Sequence, residues 1–276
     1  MDPVDRLVTA WDAAMADVRD VVEALGEPGW TRPSLLPGWS VGDIVAHLAW
    51  IEGILLGRTD PPHEPDWSAL PHVQSPLSMA TEVPVDLRRS WQRAQVLAEF
   101  DGTIAERLAA LRTGPQDPLT PTTNPFGKLV TLEDVLRMRI FDTWVHGQDI
   151  RLAVGMPGST DTDAARVAAE RIAGALGYVW ARRVGAPVGS TLLVEVTPPG
   201  VALTHAVARA EDGRGLDVAP PADPTVRLTM ALDDFVQLGC GRTRPDSSLD
   251  MARTRVQIQG DADLAARALE NFNIAP

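Results

Sequence analysis

The hydrophobic period of this chain changes near residue 185, so it must fold as two differently built parts. Before that point apolar residues recur every three or four positions. Val4, Leu7, Val8, Trp11, Met15, Val18, Val22 and Leu25 trace one helical face, which Gly26 and Pro28 end. Beyond it the period falls towards two in TLLVEVTP, VALTHAVARA, TVRLTM and TRVQIQG, joined by PPG, EDGRG and APPADP turns. All eight tryptophans lie in the first 180 residues. The pattern predicts a helical bundle over 1–185 followed by a small α+β domain over 186–276. With 45% hydrophobic residues, both parts can build a core.

Within the first part, Ser40 and Asp43 form a capping-box signal that opens a helix over about 40–57. A proline-rich loop is expected over 58–82, and a third helix from Pro84 to Arg112. The segment GPQDPLTPTTNPFGK reads as loop, and Thr131 with Asp134 then caps a helix over 131–151. A fifth helix covers about 163–184. Two short helices, about 232–240 and 261–271, interrupt the strands of the second part.

Two histidines sit on helix faces that should be buried. His47 shares its face with Ile44, Leu48, Ile51 and Leu55. Around His146, the residues Arg139, Asp142, His146 and Asp149 recur at spacings of three, four and three, which places all four on one stripe of a helix. Polar groups in register on a core-facing stripe either satisfy one another or bind something. Asp142 and His146, at i and i+4, can both reach one metal ion, and His47 can supply a third ligand from another helix. Three protein ligands leave a coordination position open for chemistry. The bland alternatives are an Asp142–His146 ion pair within the helix and a hydrogen-bonded core His47. Asp149 either orients a ligating histidine or caps a neighbour.

Other candidates are weaker. His63 and His72 fall in the proline-rich loop and are expected in solvent, and His205 can face either way on a strand. Cys240 reads as a small buried hydrophobe. Because it is the sole cysteine, an internal disulfide and a multi-cysteine metal site are excluded. No nucleophile elbow, phosphate-cradling loop or dinucleotide fingerprint is present.

A net charge of −12 argues against nucleic-acid and anionic-membrane partners. The N-terminal segment is amphipathic and acidic, unlike a signal peptide. The longest apolar stretch, about 41–56, is broken by His47 and Glu52 and is too short to span a bilayer. These features predict a cytoplasmic protein, monomeric or homodimeric.

The segments PSLLPGWSVGDIVAHLAW and RMRIFDTWVHGQDIRLAVGMPG together resemble the mycothiol-dependent maleylpyruvate isomerase family of actinobacteria, part of the wider DinB-like metal-binding bundles. The stretch from DPTVRLTMALDDFVQLGCGR to the C-terminus resembles the sterol-carrier-like domain that completes those proteins. The resemblance implies a DinB-like four-helix bundle followed by a sterol-carrier-like α+β domain. It also implies a divalent metal, usually zinc, held by His47, Asp142 and His146, with mycothiol as co-substrate. The family isomerase carries Glu at the acidic position, and Asp142 is one methylene shorter, so its carboxylate or the metal must shift. Arg242 is the match to a family arginine that binds substrate. On this resemblance, the metal would hold a low-molecular-weight thiol as a zinc thiolate for addition to an electrophilic small molecule. The outcome is either cis–trans isomerisation or S-transfer. The alternatives are a hydrolase using zinc-bound water, with Asp149 or Glu52 as general base, or a non-enzymatic metal-binding protein.

Overall fold

The computed structural model describes residues 2–242 and 255–275, in two compact units, Met1–Gly158 and Ser159–Pro276. The first unit is built on helices α1 (Pro3–Glu23), the single turn α2 (Glu27–Trp30), α3 (Val41–Leu55), α4 (Pro76–Arg89), α5 (Arg93–Thr113) and α6 (Leu132–Val154). α1 packs on α5 and α6, and α3 packs on α5 and α6, so four long helices close around one core. Trp11, Met15, Ile44, Leu48, Phe100, Leu136 and Ile140 fill it.

Local chemistry fixes where the two site-bearing helices start. At α3 the Ser40 hydroxyl accepts from Asp43 N (3.2 Å), and the Asp43 carboxylate accepts from Ser40 N (2.8 Å). Thr131 and Asp134 make the same reciprocal pair at α6, at 3.1 and 3.3 Å. Gly155, with φ +71°, ends α6 in the left-handed conformation that a glycine adopts without steric cost.

The structure differs from the sequence expectation in three places in this unit. The helix expected over 84–112 is two helices. α4 begins at Pro76 under a Ser75 cap and carries Pro84 inside it. The chain breaks at Ser90–Gln92, and Gln95 Oε1 accepts from Gln92 N (2.8 Å) to restart it as α5. Ser75–Pro76 and Pro84 are both start signals, and the earlier one prevails. The segment read as loop after α5 holds a hairpin, β1 (Pro121–Thr123) and β2 (Leu129–Thr131), whose turn is tied by Asn124 Oδ1 accepting from Phe126 N and Lys128 N.

The second unit comprises α7 (Asp163–Ala173), α8 (Leu176–Tyr178), a π turn at Val179–Arg183, β3 (Thr191–Thr197), β4 (Leu203–Arg209), β5 (Gly215–Val218), β6 (Val226–Ala231), α9 (Leu232–Gly239), β7 (Gln257–Gly260) and α10 (Ala262–Glu270). The sheet order is β5-β4-β3-β6-β7, with β3 and β6 parallel and the other pairs antiparallel. Alternating Val226, Leu228 and Met230 point into the core, as period two requires. β5 escaped the sequence reading because it is a short, mostly exposed edge strand without alternation. Thr254, where the last strand was expected to begin, lies outside the described residues.

The compact units divide at 158/159, ahead of the change of period at 185. α7 packs on α9 and β4, and Trp180 is buried in the second unit with its indole N–H donating to Ser190 O (3.1 Å). Periodicity reports an element's type and says nothing about which core it joins. Among the described residues, no helix is long and apolar enough to cross a membrane.

Two glycines make opposite predictions. A Cβ on Gly215 would lie 1.9 Å from the Gly177 carbonyl oxygen, a backbone atom that cannot swing away. Gly102, in α5, has nothing within 4 Å of an added Cβ. Gly215→Ala should therefore destabilise by about 1–3 kcal/mol, and Gly102→Ala should stabilise by roughly 0.5–1 kcal/mol. Urea unfolding of both variants checks the order, and the reverse order would contradict the packing described.

Candidate metal centre

α3 and α6 bring His47, Asp142 and His146 together inside the first unit, one donor atom from each lying within 4.8 Å of the others. Asp142 Oδ2 is 3.4 Å from His47 Nε2, and Oδ1 is 3.6 Å from His146 Nε2. Bonds of about 2.0–2.1 Å at tetrahedral angles separate two zinc ligands by roughly 3.3–3.4 Å. The two carboxylate–imidazole distances are close to that separation, and the third donor pair lies within 4.8 Å. His47 gives a second indication. It is buried, and neither ring nitrogen has a hydrogen-bond partner among the described residues. The Asp142 carboxylate approaches only to 3.4 Å from Nε2, and a buried imidazole so weakly satisfied is costly.

Each side chain of the cluster is held differently. Asp149 Oδ2 lies 3.2 Å from His146 Nδ1, which leaves Nε2 facing Asp142. His47 sits between the rings of Trp39 and Trp50, with centroids 5.3 and 5.9 Å away, and Trp39 also lies 6.3 Å from His146. Trp39 is in turn anchored by its indole N–H, which donates to Glu82 Oε2 (2.7 Å). Asp142 Oδ2 accepts from Arg139 Nη1 (2.8 Å). The i,i+3 ion pair and the cation-binding geometry thus coexist on the same stripe.

Burial and charge act in opposite directions on His47 and Asp142. Burial pushes the His47 imidazole below its ordinary pKa and outweighs the pull of the Asp142 carboxylate. Burial of Asp142 disfavours its charged form, but the Arg139 guanidinium, with His146 and His47, outweighs this and holds the carboxyl well below its usual range. A neutral imidazole and an ionised carboxylate are the forms that bind metal.

The remaining candidates are placed as follows. Glu52 is fully buried, with Oε1 accepting from Trp11 Nε1 (3.1 Å) and Arg139 Nε (2.7 Å) and Oε2 from Arg107 Nε (3.3 Å). Both oxygens are thus engaged, and it makes a poor general base. His63 and His72 are not in solvent. They pair with Asp86 (2.8 Å) and Glu82 (3.1 Å), both on α4, and are only partly exposed; the early start of α4 supplies Glu82. His205 faces Asp217 (3.2 Å), and Cys240 is buried. Arg242 belongs to the second unit, its Nη1 donating to Cys240 O (3.2 Å), and its assignment to a substrate carboxylate rests on resemblance alone. The sequence reading missed the two tryptophan walls. Trp39 stands in the PGW segment and Trp50 three residues after His47, which is signal enough to suspect them.

A helical bundle carrying an inward His–His–carboxylate cluster, joined to an α+β unit, defines a class of two-part protein. The profile described as mycothiol maleylpyruvate isomerase N-terminal domain matches residues 11–151, and that of the SCP-2 sterol transfer family matches residues 180–271. The chain belongs to the mycothiol maleylpyruvate isomerase family, a family of enzymes. Among solved structures it is similar to the mycothiol-dependent maleylpyruvate isomerase, at 19% identity over 89% of this chain and 92% of that one, with a TM-score of 0.56. A histidine-to-alanine mutant of that enzyme matches at 18% identity with the same coverage and TM-score. At such identity the likeness is one of fold. No curated protein matches the chain.

Two outcomes follow from this geometry. Metal-depleted protein should take up about one divalent ion per chain, and His47→Ala or His146→Ala should abolish that uptake. Calorimetric titration measures it, and full uptake by either variant would remove the site. Metal-free protein should also lose stability on acidification. The unfolded chain protonates His47 near the ordinary histidine value of about 6.5 and the folded protein only at lower pH, so the unfolded state binds the extra proton first. Asp142 acts in the same direction at lower pH, because protonating it requires giving up the pairing with Arg139. Denaturation at pH 7.5 and 5.5 should show the loss, reduced in His47→Asn.

Proposed function

We propose that the chain is a metal-dependent, mycothiol-dependent enzyme in which His47, Asp142 and His146 hold a divalent ion, most simply zinc. The observation that carries this reading is the cluster of three donors lying within 4.8 Å of one another on the bundle of a mycothiol-dependent family. Two imidazoles and one carboxylate form a donor set that suits zinc and leaves a fourth position open. A bound divalent cation supplies one thing here: it lowers the pKa of a coordinating thiol, so that sulfur is held as thiolate at neutral pH.

The chain's own residues do the rest. Asp149, 3.2 Å from Nδ1, orients the His146 ring so that Nε2 faces the cluster. Trp39 and Trp50 wall the His47 side and exclude water from it. The thiolate carbon–sulfur chemistry is then addition to an activated C=C bond, with rotation and elimination for an isomerase, or release of the S-conjugate for a transferase. The family favours the isomerase outcome on a substrate of the maleylpyruvate type. The engagement of both Glu52 oxygens weighs against a hydrolase that would use it as base.

The test supplies purified protein with mycothiol and either maleylpyruvate or chlorodinitrobenzene. Turnover should need both the thiol and the metal and should vanish in His47→Ala. Turnover without thiol, or unchanged after chelation, would overturn the reading. Asp142→Asn keeps the shape and removes the charge, and it should weaken metal binding at least about tenfold, equal to roughly 1.4 kcal/mol. Asp142→Glu should retain the metal.

A further inference from the structure

We infer that Arg139 is a positioning residue of this centre: it fixes the Asp142 carboxylate for metal binding and is itself held in place by Glu52. The inference rests on the metal reading of His47, Asp142 and His146. Arg139 is 1% exposed, one of the largest fully buried side chains in the protein. A guanidinium in that position is tolerated only if carboxylates answer it, and two do, from different helices. Nε donates to Glu52 Oε1 on α3 (2.7 Å), and Nη1 donates to Asp142 Oδ2 on α6 (2.8 Å). Glu52 takes its other donors from Trp11 on α1 (3.1 Å) and Arg107 on α5 (3.3 Å). One connected network therefore runs from all four long helices to a single oxygen of Asp142.

The consequence lies in the freedom of that carboxylate. The Asp142 side chain is 25% exposed, enough to swing towards water if nothing held it. Arg139 removes that freedom through a planar donor whose own orientation Glu52 fixes. With Oδ2 tied, Oδ1 stays 3.6 Å from His146 Nε2, aimed into the cluster. Arg139 also opposes a cation by charge, so the sign of its effect on metal affinity separates the two roles. Positioning predicts weaker binding when Arg139 is lost, and repulsion predicts tighter binding.

The experiment titrates zinc(II) alone into metal-free wild type, Arg139→Gln, Arg139→Lys and the double variant Glu52→Gln/Arg139→Gln. Arg139→Gln should bind zinc roughly 10–100-fold more weakly, the range typical for the loss of a group that orients a ligand. Arg139→Lys keeps the charge without the fork and should recover only part of the affinity. The double variant removes the carboxylate that the single variant strands in the core, so it should regain stability while zinc binding stays as weak as in Arg139→Gln. Wild-type affinity in the double variant would make Arg139 a merely structural partner of Glu52. Tighter binding in Arg139→Gln would make it a repulsive one, and either result overturns the inference. No zinc uptake by wild type would overturn the metal reading itself, and this inference with it.

Discussion

The helical unit is organised by charge pairing that no single helix can complete. Glu52, Arg107 and Arg139 are buried, and each would be costly alone. They meet only when α3, α5 and α6 sit in the observed register, with α1 adding the Trp11 indole N–H. Apolar side chains of similar volume could fill the same space with equal or greater stability. What the charged version adds is direction: its outer end is the Asp142 carboxylate, held at the edge of the site. Fold and cluster are in this sense one arrangement, because the pairs that set helix register also hold the Asp142 carboxylate.

The two imidazoles are supported by different physics. His146 has a carboxylate, Asp149, at its second nitrogen, whereas His47 is clamped between two indoles. Burial keeps His47 neutral, and Arg139 keeps Asp142 ionised. A neutral His47 and an ionised Asp142 are the forms in which these two side chains would bind a metal.

Legibility in the sequence followed how local each feature is. The stripe of Arg139, Asp142, His146 and Asp149 is contained in one helix and could be read from spacing, as could both capping boxes. His47 stood out as a polar residue on an apolar face, and its convergence with the stripe followed from the bundle. The partners of Glu52 could not be read, since they come from three other helices and nothing local marks them. For the same reason His63 and His72 looked solvated: their acidic partners, Asp86 and Glu82, come from α4, and the part of α4 that carries Glu82 was read as loop. The change of period near residue 185 falls between the last helical turn, Val179–Arg183, and β3, which begins at Thr191. It could not show that α7, α8 and Trp180 are helical parts of the second core.

The central claim is that the buried stripe of α6 and His47 of α3 form a metal centre. Anomalous diffraction at the zinc edge, from crystals grown with zinc, tests it most directly. The account predicts one strong peak bounded by His47 Nε2, His146 Nε2 and an Asp142 carboxylate oxygen. No peak there, or a zinc ion bound elsewhere with these three side chains still paired to one another, would contradict it.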